Sequence, residues 1–88
     1  MTNLKEKEFL RLIYENQAII HKICFVYSRT KDDRKDLEQE IILQLWKSFP
    51  FFKRQSAFST WMYRVALNTA ISQIKRSKFF FDLKETHT

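Results

Sequence analysis

The chain has no glycine, one proline (Pro50) and one cysteine (Cys24) among its 88 residues. Each shortage excludes something. Tight hairpins and sandwich turns draw on glycine, so its absence argues against a β fold and for helices joined by short connections. A single proline leaves one strong helix stop, at Pro50. One cysteine forbids an internal disulfide. Cys24 sits in an apolar run, where a buried thiol is the expected state rather than a nucleophile. No apolar stretch approaches the roughly 20 residues that span a bilayer. The opening residues, MTNLKEKEF, lack an apolar signal core, so the expected compartment is the cytoplasm, without membrane insertion.

What is present suits one small domain. A chain of this length buries only about 60–65% of its unfolded surface and needs a well-filled core. The composition, 44% hydrophobic and 16% aromatic, supplies one. The formal net charge is +6, unevenly placed. Asp32 to Glu40 holds five acids against two bases, whereas Ile41 to Phe81 holds seven bases and no acid. An acidic patch beside a basic half suggests two partners, with the basic half suited to a polyanion.

The periodicity predicts three helices. In the first, from about Asn3 to Ser28, Phe9, Leu12, Ile13, Ile19, Ile20, Ile23 and Tyr27 recur at helical intervals. Thr2 or Asn3 is suited to cap it, and its polar side reads as a solvated scaffold face. Asp32 or Asp33 is the expected cap of the second helix, which reaches about Phe49. Leu37, Ile41, Leu45 and Phe49 face inward there, flanked by Ile42 and Trp46. Asp36, Gln39, Glu40, Leu43 and Lys47 face outward, a pattern suited to a basic partner helix as well as to plain solvation. His21 reads as structural or exposed, and no Cys/His spacing supports a metal site.

The third helix, Phe58 to Arg76, has two faces. Met62, Val65, Ala66, Thr69 and Ala70 form an apolar side, widened by Tyr63, Leu67 and Ile74. Trp61, Arg64, Asn68, Ser72 and Lys75 are spaced three, four, four and three, which makes one stripe. A ring beside cations and an amide suits a nucleic acid: the ring stacks on a base, the cations meet phosphates and the amide pairs with a base edge. The preceding loop, PFFKRQSA, is expected to fold Phe51 and Phe52 onto the core and to expose Lys53, Arg54, Gln55 and Ser56. Ser56 or Ser59 would cap the helix. The corner between loop and helix is suited to receive an unstacked base. Residues 1–78 are the domain in this reading, and 79–88, starting FFFDLK after Lys78, are the beginning of a linker or disordered tail.

Two stretches, DLEQEIILQLWKSFPFF and SAFSTWMYRVALNTAI, together resemble region two of bacterial RNA polymerase sigma factors, with the extracytoplasmic-function class as the nearest. The resemblance covers about Asp32 to Arg76. It implies an all-α fold, a compact three-helix domain with room for a short extra helical segment. It also implies docking on the beta-prime clamp helices of the RNA polymerase core, through Asp36, Gln39 and Glu40 with Leu43, Trp46 and Lys47 along the same helix. The third helix and its loop are then expected to hold the non-template strand of the promoter minus-ten element as a single strand. Phe58, Ser59, Thr60, Trp61, Arg64 and Asn68 match that motif, Ser72 and Lys75 extend it, and Lys53, Arg54, Gln55 and Ser56 match the base-specificity loop. Many relatives carry a glycine near Arg54, and this chain has none. Nothing after Lys78 matches a region four, so the chain reads as an excised domain, with a naturally short protein as the alternative.

No enzyme is expected and no cofactor is implied: carboxylate pairs in a pocket, metal clusters and phosphate loops are all missing from the pattern. Two alternatives stay open. One is a protein-interaction helical domain held by an anti-sigma factor. The other is a duplex-DNA-binding, repressor-like module, which would need a tight turn before its recognition helix.

Overall fold

The computed structural model describes the backbone of residues 4–54 and 56–86, and side chains of the same residues up to position 75. Its elements are four α-helices and one 3-10 turn: α1 (Leu4–Glu15), α2 (Gln17–Tyr27), α3 (Lys31–Ser48), the turn Phe49–Phe51, and α4 (Phe58–Thr86). The all-α expectation holds.

The expected first helix is two. Asn16 leaves the helical region at φ −114° and ψ 14°. Its side-chain amide donates to the Leu12 carbonyl at 2.8 Å, which its own backbone N–H also reaches at 3.2 Å. A short amide that competes with the backbone in this way favours breaks over helix interiors. The sequence carries a trace of the break, since the apolar recurrence is silent from Ile13 to Ile19. Each half then aims its own apolar stripe. The cap proposed at Thr2 or Asn3 lies outside the described residues.

The cap of α3 lies two to three residues earlier than expected: Thr30, not Asp32 or Asp33. Its Oγ1 accepts from the Asp33 N–H at 3.0 Å. Asp32 and Asp33 occupy the first turn instead, where carboxylates favour the positive end of the helix dipole. The helix ends at Ser48, and Pro50 sits within the 3-10 turn. No glycine or proline interrupts the sequence from Phe58 onward, and α4 accordingly runs past Arg76 to Thr86, through the stretch read as a linker or tail.

The core is built from all four helices. Phe9 comes from α1; Ile20, Ile23 and Cys24 from α2; Leu37, Ile41 and Leu45 from α3; Phe58, Met62, Ala66 and Ala70 from α4, with Phe49 from the turn. Each large aliphatic so buried contributes roughly 1.5–3 kcal/mol. Ala66 and Ala70 are fully buried, so their small side chains set how closely α4 approaches its neighbours. Burial and the nearby Glu38 carboxylate push the Cys24 thiol up to about 11, which keeps it protonated and a poor nucleophile.

Candidate nucleic-acid interface

The loop and the start of α4 rest on aromatic rings. Phe9 meets Trp46 at 5.0 Å between ring centroids and Phe49 at 5.1 Å. Phe49 lies 6.4 Å from Phe52, 6.2 Å from Phe58 and 6.5 Å from Trp61. Phe52 closes the group, 5.7 Å from Phe58 and 5.0 Å from Trp61. Tilted, stacked and edge-to-face pairs of this kind contribute about 0.5–1.5 kcal/mol each beyond area burial. The rings thus tie α1, the end of α3, the loop and α4 together.

This arrangement refines several expected roles. Phe52 folds onto the core as anticipated, but Phe51 does not: it is 78% exposed. A 3-10 turn places successive side chains about a third of a revolution apart, so two adjacent phenylalanines cannot share one face. Phe58, matched to the strand-binding motif, is buried among the rings and supports the site from beneath. Trp61 is half-buried, 5.5 Å from Phe58, so only part of its ring surface is open. Ala57, rather than Ser56 or Ser59, precedes α4; its carbonyl accepts from the N–H groups of Thr60 at 3.1 Å and Trp61 at 3.2 Å.

The rest of the stripe is exposed as predicted. Thr60, Arg64, Asn68, Ser72 and Lys75 all face solvent, and Ser59 is half-buried. On the opposite side Met62, Ala66 and Ala70 are fully buried, with Val65 and Thr69 partly so. Tyr63 and Ile74 are more exposed than the apolar arc implied, at 50% and 42%. Lys53, Arg54 and Ser56 are exposed in the loop, and Gln55 lies outside the described residues. Arg54 stands alone among the described non-glycine residues in having positive φ, at 55°. That conformation costs a residue with a Cβ on the order of 1–3 kcal/mol.

The outer face of α3 matches expectation in part. Asp36, Gln39, Leu43 and Lys47 are exposed, and Trp46 is 40% exposed despite its contact with Phe9. Glu40 is half-buried and accepts from the Gln44 amide at 3.1 Å. Glu38 pairs with His21 on α2 at 3.4 Å, an ion pair whenever the imidazole is protonated. Sequence periodicity treated α3 and the α4 stripe as separate faces. They adjoin: Glu40 and Gln44 share an open groove of about 360 Å³ with Val65, Asn68, Thr69 and Ser72. The Thr69 hydroxyl is already spent on the Val65 carbonyl at 2.8 Å. Trp46 and Lys47 line a second hollow of about 350 Å³ with Lys5, Phe49 and Pro50.

The residue that sequence reasoning missed is Glu8. It lies on α1, within the helix whose polar side reads in sequence as a scaffold face, yet its carboxylate pairs with the Arg54 guanidinium across 46 positions of chain. No local spacing could signal such a contact. Among the described residues no group of three or more His, Cys, Asp or Glu side chains could hold a metal ion. No helix of the described residues is long and apolar enough to cross a membrane.

A family model described as sigma-70 region 2 matches residues 12–80. The match covers most of the chain and includes α2, α3, the loop and α4 as far as position 80; the chain belongs to this family. Its relatives are extracytoplasmic-function sigma factors. It is 36% identical over 67 residues to the ECF RNA polymerase sigma-E factor of Escherichia coli K12, covering 74% of this chain and 34% of that protein. It is 31% identical over 62 residues to the ECF RNA polymerase sigma factor SigG of Mycobacterium tuberculosis H37Rv, covering 70% of this chain and 16% of the relative. With SigM of the same strain the identity is 26% over 70 residues, covering 80% and 36%. The chain therefore spans between about a sixth and about a third of the relatives it matches. No solved structure gives a significant match.

Proposed function

We propose that this domain recognises promoters within an RNA polymerase holoenzyme, docking on the beta-prime clamp helices and holding the non-template strand of the minus-ten element. The observation that carries the reading is the acid-free, exposed line of Arg64, Asn68, Ser72 and Lys75 running from Trp61 and the cationic loop. Cations along such a line meet phosphates, the open part of the Trp61 ring stacks on a base, and the Asn68 amide pairs with a base edge. Lys53 and Ser56 complete the corner that receives an unstacked base, over the floor made by Phe52 and Phe58. On α3, Asp36, Gln39, Glu40 and Leu43 supply the docking face, continued by Trp46 and Lys47. Its carboxylates suit a basic helix and its leucine fills the centre. The role is non-catalytic and belongs to the cytoplasm.

Magnitudes set the division of labour. Opening a duplex costs about 1.4 kcal/mol per base-pair step. One aromatic platform returns about 1–3 kcal/mol per base. The domain alone therefore binds single strands weakly and melts nothing; opening depends on the polymerase.

Fluorescence anisotropy of labelled single strands, with scrambled strands and matched duplexes as controls across a salt series, tests the reading. Asn68→Ala is expected to remove selectivity for the minus-ten strand and to leave polymerase binding intact. Gln39→Ala is expected to weaken polymerase binding and spare the strand. Because Glu40 and Asn68 share a groove, Glu40→Ala is expected to perturb both. Tighter binding to duplex would point to the repressor-like alternative. Absence of any salt-dependent strand binding would leave a protein-interaction domain, such as one held by an anti-sigma factor.

A further inference from the structure

We infer that Glu8 of α1 is a positioning residue for the loop before α4, and that Arg54 anchors this loop to α1 instead of contacting the strand. The inference rests on the reading of loop and stripe as a single-strand site, and it adds what sets the loop's shape.

Three observations carry it. Arg54 holds a left-handed backbone, φ 55°, which a residue with a Cβ adopts only when its surroundings impose it. Its guanidinium is met by the Glu8 carboxylate, from an element far away in sequence. Glu8 is itself fixed from behind: the next residue, Phe9, is buried and in ring contact with both Trp46 and Phe49. The tether thus runs from the core, through two adjacent residues of α1, to the described loop position that holds positive φ. A glycine at that position would need no tether, because it takes positive φ freely. This chain has arginine there, and the ion pair does the holding.

The pairing also changes what Arg54 can offer a strand. A guanidinium bound to a carboxylate contributes little net charge to a phosphate, which leaves that contact to Lys53. Base selectivity then depends on a helix that never touches the strand. Glu8 precedes the residues matched by the family model, which begin at 12.

The test compares the 88-residue chain with Glu8→Gln, Arg54→Gly and the double variant, by amide NMR and by strand binding. In Glu8→Gln the loop amides 53–57 are expected to shift and to exchange faster, with thermal stability nearly unchanged, since exposed ion pairs contribute little to it. Selectivity for the preferred strand over a scrambled one should fall about fivefold, with affinity for the scrambled strand unchanged. Arg54→Gly should keep most of the selectivity, and adding it to Glu8→Gln should restore most of what that variant lost. Unperturbed loop amides in Glu8→Gln would overturn the inference. So would an Arg54→Gly variant that binds every strand more weakly with a shallower salt dependence, the mark of a lost phosphate contact. If the unaltered chain selects no strand, the binding reading fails by itself, and the loop amides still decide whether Glu8 holds the loop.

Discussion

The two halves of the core are built from different materials. Beneath the loop it is aromatic, with Phe9, Phe49, Phe52, Phe58 and Trp61 joined through Phe49 into one cluster of ring contacts. Beneath the middle of α4 it is aliphatic and small, with Ile20, Ile41, Leu45, Ala66 and Ala70. The aliphatic half lets helices approach closely and fixes their packing. The aromatic half reaches across gaps that helices cannot close, and its rings support a loop that has no regular structure of its own. The lesson is that one half sustains the fold, and the other sustains both the fold and the site.

Substitutions can break this comparison. The largest effect is expected from Phe49→Ala, since Phe49 touches four other rings: a loss of about 3–5 kcal/mol in chemical denaturation. Because a domain of this size has little stability to lose, Phe49→Leu serves as the milder companion. It should keep the fold and still blunt strand selectivity. Unchanged selectivity in Phe49→Leu would remove the distinction between the halves. Next comes Ile41→Ala, expected to cost roughly 2–5 kcal/mol while strand selectivity persists wherever the protein stays folded. Loss of selectivity ahead of unfolding would show that the aliphatic half also shapes the site.

A smaller effect sharpens the boundary. Thr30→Ala removes the α3 cap, and a loss of about 1 kcal/mol is expected with no change at the loop. Smallest is the response to alkaline pH. The folded Cys24 thiol is raised from 9.0 to about 11, so the unfolded chain releases its proton first. The stabilisation is therefore full below about pH 9 and is lost as pH rises toward 11. Cys24→Ala should flatten that decline in a pH series of thermal midpoints, and a decline of the same steepness in the variant would assign it to other groups.

Much of the fold was legible beforehand. The inward residues of α3 and the buried side of α4 follow from apolar recurrence at helical spacing, because burial in a helical domain is decided by which face a residue occupies. The exposed stripe from Arg64 to Lys75 was legible for the same reason. The break at Asn16 and the cap at Thr30 were less so. Both hinge on one side chain competing for a backbone group, a contest that average periodicity does not register. Phe51 and Phe52 look alike in sequence, and only the path of the 3-10 turn sends one outward and the other into the ring cluster.

By itself, then, the sequence determined the helical class, the inward faces and the alignment of a cationic, amide-bearing stripe, since all three depend on spacing within one element. Tertiary structure decided what lies between elements. It buried Phe58 beneath the site, brought Glu40 into the groove of Asn68, and joined Glu8 to a left-handed Arg54. Those outcomes depend on how helices cross and where a loop is held, and contacts between residues tens of positions apart leave no periodic trace in the chain.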